Sequence, residues 1–96
     1  MRRCFLVTYD ISDARRLRQV FKVMNDYGDH LQFSVFLCQL NPVECLRMEA
    51  RLKKAMNEKD DQVLLVDLGP SRRDTEMSDF VAWGRPLTCQ SRAKIA

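Results

Sequence analysis

The sequence has no C-x-x-C pair, no zinc-ligand spacing among its four cysteines, and a single histidine. The cysteine pattern excludes the common zinc modules and a metal-carrying ferredoxin-like domain. His30 has no Ser/His/Asp or Cys/His set around it, which removes triad-type nucleophilic chemistry, and it reads as a loop or strand-edge residue. No apolar run approaches the length of a membrane span. Met1-Arg2-Arg3 precedes an apolar stretch that is short and interrupted by Asp10, unlike a secretory signal. Repeats and low-complexity tracts are absent. Three of the cysteines sit in apolar segments, as small buried hydrophobes of a reducing compartment do, so the expected location is cytoplasmic.

What is present starts with size and charge. Ninety-six residues make one small domain, which hides only about 60–65% of its unfolded surface, so association is a common remedy. The hydrophobic share of 46% is ample for a core and argues against disorder. Net charge is only +3, yet most of the sixteen basic residues are arginine, whose planar fork matches phosphate oxygens two at a time. An acidic ligand such as nucleic acid fits this balance. A solvated charged surface fits each single arginine.

Cys4 through Tyr9 is rich in β-formers and reads as a buried strand that stops on Asp10. The carboxyl end of a strand is where ligands collect in α/β folds, although Asp also opens turns. Leu17, Val20, Phe21 and Met24 then recur on one helical face, with Ser12 as the expected N-cap, Asp13 in the first turn and Gly28 as a left-handed stop. Arg15, Arg18 and Lys22 share a separate polar stripe that could grip phosphates, although a lone stripe of this kind is more often a solvated face.

Residues 31–40 form a second apolar block, either one strand or two short ones bent near residues 32–34. Asn41-Pro42-Val43-Glu44 predicts a helix start with a capping box, and Cys45, Met48, Leu52, Ala55 and Met56 line that helix's core face. Residues 58–61 form a charged turn, Val63 to Val66 a buried strand, and Gly69-Pro70 its end. With the middle block split, the order is the α+β ferredoxin-like β-α-β-β-α-β motif over residues 1–70. Both helices then cover one face of the sheet. Two copies stacked sheet to sheet would cover the other. Residues 71–96 form a C-terminal segment, with a short strand at Phe80–Trp83 that extends a dimer partner's sheet and a basic tail.

Tyr9-Asp10-Ile11, Arg15-Arg16, Arg18, Tyr27-Gly28 and Gln32-Phe33-Ser34-Val35-Phe36, with Gly84-Arg85-Pro86 later, resemble the CRISPR-associated Cas-two family in order and spacing. The resemblance runs from about Phe5 to Leu68. It implies a homodimer with Asp10 of each subunit facing its mate across a cleft, where the pair holds Mg²⁺ for phosphodiester cleavage of RNA or double-stranded DNA. It implies a second role as a scaffold in CRISPR spacer acquisition, between dimers of the integrase Cas-one. Positions matching the family's implicated residues are Tyr9, Asp10, Arg16, Arg18, Ser34 and Phe36. Departures fall at His30 and Phe33, and Asp67 adds a carboxylate to the last core strand.

The resulting expectation is Asp10 as catalytic and metal-holding residue, with Tyr9, Arg15, Arg16, Arg18 and Lys22 binding nucleic acid. Ser34 and Phe36 support them. Mg²⁺ needs few protein ligands because it keeps several waters, so two symmetry-related carboxylates suffice. Facing carboxylates repel unless a cation bridges them, which makes metal binding pH-dependent. Such sparse machinery fits a metal-dependent endonuclease of weak or gated activity. The alternatives are a toxin-type ribonuclease of the same fold and a non-enzymatic ferredoxin-like binding module. An RNA-recognition strand of alternating aromatics is absent.

Overall fold

A computed structural model describes residues 1–71 and 83–84. The element order is β1 (Arg3–Asp10), α1 (Ala14–Tyr27), β2 (Gly28–Gln32), β3 (Val35–Leu40), α2 (Pro42–Ala55) and β4 (Gln62–Pro70). The strands form one antiparallel sheet in the order β2-β3-β1-β4. This is the ferredoxin-like fold. The expected short strand at 80–83 and the basic tail lie outside the described residues, apart from Trp83 and Gly84, and so do Arg72, Arg73 and Arg85.

Alternation along β1 divides its side chains between two environments. Phe5, Val7 and Tyr9 enter the main core with Val20, Val23 and Met24 of α1, Phe36, Cys38 and Leu40 of β3, and Met48, Leu52 and Ala55 of α2. Cys4 and Leu6 point to the opposite face, where Leu31, Val35 and Leu37 join them in a second cluster. Leu17 is not part of the α1 core face as expected: it opens onto a surface groove, and Val23 is buried instead. The inward stripe is therefore Val20, Val23, Met24 and Tyr27, one turn further along the helix.

Both expected limits of α1 change in detail. Asp13, not Ser12, is the N-cap, and its carboxylate accepts from the Arg16 backbone N–H at 2.9 Å. Ser12 is engaged elsewhere, as described below. Gly28 is extended (φ −158°) and starts β2, so a left-handed stop is not its role. A Cβ at Gly28 would instead collide with Cys38 Sγ and lie 2.6 Å from the Leu37 carbonyl oxygen on β3. Only glycine lets the two strands approach. The α2 start follows expectation: Asn41 Oδ1 accepts from the Glu44 N–H at 2.8 Å and Glu44 reaches back to the Asn41 N–H at 2.9 Å.

Residues 31–40 resolve into two strands joined at Phe33-Ser34. The turn takes its left-handed residue from Phe33 (φ 35°), where glycine or asparagine is usual, so no sequence signal marks it. A bulge at the His30/Gln32 register shift turns Leu31 into the second cluster.

Strand β4 runs past Val66 to Pro70 because Leu68 is bulged out of register between Asp67 and Gly69. Gly69 (φ 100°) bends the strand without ending it. β4 is also not buried as expected: it is an edge strand, and Leu64, Leu65, Val66 and Leu68 are all exposed in the single chain. Pairing of Leu64 with Thr8 and of Val66 with Leu6 puts those two side chains on the helix-free face.

Candidate metal and nucleic-acid site

β1 ends on Asp10, exposed and opposite Gln62 of β4. By the two-residue period it lies on the helix-free face with Leu6 and Thr8. Its carboxylate accepts no hydrogen bond and forms no ion pair among the described residues. The neighbouring carboxylates are occupied. Asp13 caps α1. Asp61, expected in a charged turn, has its side chain buried, with an exposure of 0%.

Asp61 organises the loop that follows Asp10. Its Oδ2 accepts from Arg16 Nε at 2.8 Å and from the Asn57 N–H at 2.8 Å. Its Oδ1 accepts from the Ser12 N–H at 2.9 Å, Ser12 Oγ at 3.0 Å and Arg16 Nη2 at 3.2 Å. The Arg16 guanidinium and these N–H and O–H donors hold the Asp61 carboxyl far below the usual carboxylate range. The network ties the β1–α1 loop to the α2–β4 loop and so fixes the strand end that presents Asp10. Sequence reasoning missed Asp61 because its partners Ser12 and Arg16 lie 49 and 45 residues away in the chain; a charged cluster before a strand carries no mark of burial.

Arg16 is engaged by Asp61. Arg15, Arg18 and Lys22 remain exposed, with no ion-pair partner among the described residues. They line a groove of about 930 Å³ with Tyr9, Phe33 and Ser34. Tyr9 sits in the groove floor, only 7% exposed, stacked on Phe36 with ring centroids 6.2 Å apart. Burial pushes its phenol pKa up, partly offset by a hydrogen bond with Ser34. Tyr9, Ser34 and Phe36 are thus brought together, as a support under the groove. Phe36 also meets Phe21 and His30, and the His30 Nε2–H donates to the Phe33 carbonyl at 2.7 Å. His30 is part of this aromatic packing and not a base beside Asp10.

Two features share the sheet end. Asp10 faces the helix-free side, and the basic groove faces the helix side. Among the described residues, no three Asp, Glu, His or Cys side chains come together to hold a metal. Among the described residues, Asp10 is thus the single unengaged hard oxygen donor at this strand end, which fits Mg²⁺ with water or other oxygen ligands completing its shell. Asp67, whose partner the sequence left open, is bound by Arg3 at 3.0 Å and by the Gly69 N–H at 2.8 Å, and both lower its pKa. Cys38 is a buried thiol whose pKa burial pushes up to about 12, which makes it unreactive.

A four-stranded antiparallel sheet under two helices, with a carboxylate closing its first strand and exposed cations on its first helix, defines a small ferredoxin-like α+β class. Within that class the chain belongs to the CRISPR associated protein Cas2 family, whose model matches residues 2–75. It is 42% identical over 71 residues to a protein of Geobacter sulfurreducens named CRISPR-associated endoribonuclease Cas2, covering 74% of this chain and 75% of the relative. It superposes on the crystal structure of Streptococcus pyogenes Cas2 with a TM-score of 0.65 and 38% identity, over 69% of this chain and 86% of that one. A further Cas2 crystal structure gives a TM-score of 0.74 at 26% identity, over 100% of this chain and 99% of that one. No helix among the described residues is long and apolar enough to cross a membrane.

Proposed function

We propose that this chain acts as a cytoplasmic homodimer in CRISPR spacer acquisition, binding nucleic-acid phosphates and cleaving phosphodiester bonds at a divalent-metal site shared by two Asp10 carboxylates. The observation that carries the reading is that Asp10 lies on the same helix-free face as the apolar patch of Leu6, Leu64 and Val66. Covering that patch with a second copy brings the two strand ends into one cleft. The curated relatives' name, endoribonuclease, supports nuclease chemistry of this kind.

In that cleft the Asp10 pair would hold Mg²⁺, which when bound neutralises phosphate charge and activates water. The Asp61–Arg16–Ser12 network keeps the loop after Asp10 from shifting, so the carboxylate is presented in one geometry. Arg15, Arg18 and Lys22 bind backbone phosphates and carry no base-reading geometry, so binding is insensitive to sequence. If these three cations neutralise three phosphates, affinity falls about 40-fold between 50 and 200 mM salt.

A second reading has its own support: the unpaired cations lie on the helix face, away from Asp10. Duplex DNA held there would let the dimer serve as a scaffold for the integrase Cas-one without cutting. Asp10→Ala separates the two. Loss of Mg²⁺-dependent cleavage with spacer integration intact assigns the biology to scaffolding, whereas unchanged cleavage removes the proposed metal site altogether. An antitoxin gene beside this one, in place of an integrase gene and a repeat array, would favour a toxin-type ribonuclease.

A further inference from the structure

We infer that Phe33 is a stacking platform for one unpaired nucleobase, whose flanking phosphates are gripped by Arg15, Arg18 and Lys22 across the same groove. The inference rests on the phosphate-binding reading above and adds the class of ligand: a single-stranded segment or a frayed end, in preference to an intact duplex.

Three observations converge. Phe33 is 79% exposed at the tip of the β2–β3 hairpin, so its ring contributes little to the core. Its backbone is held at φ 35°, a conformation in which a bulky residue is strained and glycine or asparagine would be at ease. That strain is fixed from both sides, by His30 on the Phe33 carbonyl at 2.7 Å and by the Tyr9 N–H on the Ser34 carbonyl at 3.2 Å. A strained, outward-pointing aromatic that a rigid frame holds in place is a feature of binding sites more than of turns.

The groove beside it has the matching chemistry. Among the described residues no acidic side chain lines it, and its three cations lie on one side of α1. From Arg15 to Lys22 the helix rises about 10 Å, enough to reach two or three successive phosphates. Leu17 supplies an apolar wall, unexplained by the core. Aromatic stacking with phosphate contacts is the common mode of sequence-tolerant single-strand binding. A duplex keeps its bases stacked on one another and offers Phe33 no free face.

The test measures anisotropy of labelled oligo(dT), oligo(U) and a blunt DNA duplex with the full chain and with Phe33→Ala, Phe33→Trp and Arg18→Ala. Expected for Phe33→Ala is a loss of about 5- to 100-fold on the single strands, and a change under 2-fold on the duplex. Phe33→Trp restores single-strand binding, and 2-aminopurine placed in the strand is quenched by the full chain but not by Phe33→Ala. Arg18→Ala weakens all three probes. Phe33→Ala without effect, or with equal losses on strand and duplex, overturns the stacking role alone. If duplex binds and single strands do not, the ligand class is wrong while phosphate binding stands. If none of the probes binds, both fall together.

Discussion

Arg16 and Asp61 form a pair in which the Asp61 side chain has no contact with solvent and both of its oxygens accept hydrogen bonds, so an amide there loses the charge and turns an NH₂ toward donors. Asp61→Asn keeps the shape but not the charge, and the thermal midpoint at pH 7 is expected to fall by about 10 °C. The pH dependence has a definite sign. Asp61 is depressed in the folded chain, so it binds fewer protons there than in the unfolded chain. Its stabilisation is complete above the ordinary carboxylate value of about 3.9 and fades as pH drops below it. Acid titration followed by circular dichroism should therefore show the gap between the native chain and Asp61→Asn closing below about pH 4. Gly28→Ala probes packing: the added methyl meets the Leu37 carbonyl oxygen at 2.6 Å, on a strand that cannot yield alone. A loss of about 1–3 kcal/mol in urea denaturation is expected.

Local chemistry decided which elements could be read from residue order. The α2 capping box lies within a few neighbouring positions and formed where its residues predict, whereas the α1 period located the helix but not its cap or its inward face. The β2–β3 turn stayed ambiguous because Phe33 occupies a position whose conformation asks for glycine. β4 ran longer than its apolar run because a bulge and Gly69 absorb the break. At the candidate site, Asp10 was legible as a strand terminus, whereas its support by Asp61 depends on contacts 45 to 49 residues apart. The hairpin yields its own prediction. Phe33→Asn relieves the left-handed strain and gives up little burial, so stability should rise by about 0.5–1 kcal/mol. A thermal midpoint that instead falls would mean that the Phe33 ring packs in the folded chain more than its exposure indicates.

Among the described residues, Leu31 and Leu37 are buried on the helix-free face while its β4 side stays exposed, and a symmetric pairing is a cheap way to bury that remainder. Leu64 and Val66, exposed at 54% and 37%, stand on that face beside the half-buried cluster of Cys4, Leu6 and Val35. A two-fold contact uses each of these side chains twice. One charged substitution therefore appears twice in the dimer and removes apolar contact on both sides. Leu64→Glu places a carboxylate at an edge position that water reaches in the single chain, so the monomer's own core is untouched. The same carboxylate is desolvated in the stacked pair and repelled by its twin. Light scattering coupled to size exclusion should find the native chain as a dimer and Leu64→Glu as a folded monomer, with dimer affinity reduced about 100-fold or more. The proposed metal site makes this a functional test as well. A monomer carries one Asp10, and its Mg²⁺-dependent cleavage should vanish although every residue of the site is intact. Phosphate binding by Arg15, Arg18 and Lys22 should persist at lower affinity, because that groove is complete within one chain. Cleavage that survives in a monomeric Leu64→Glu protein would show that one carboxylate suffices and that the shared cleft is not where bonds are cut.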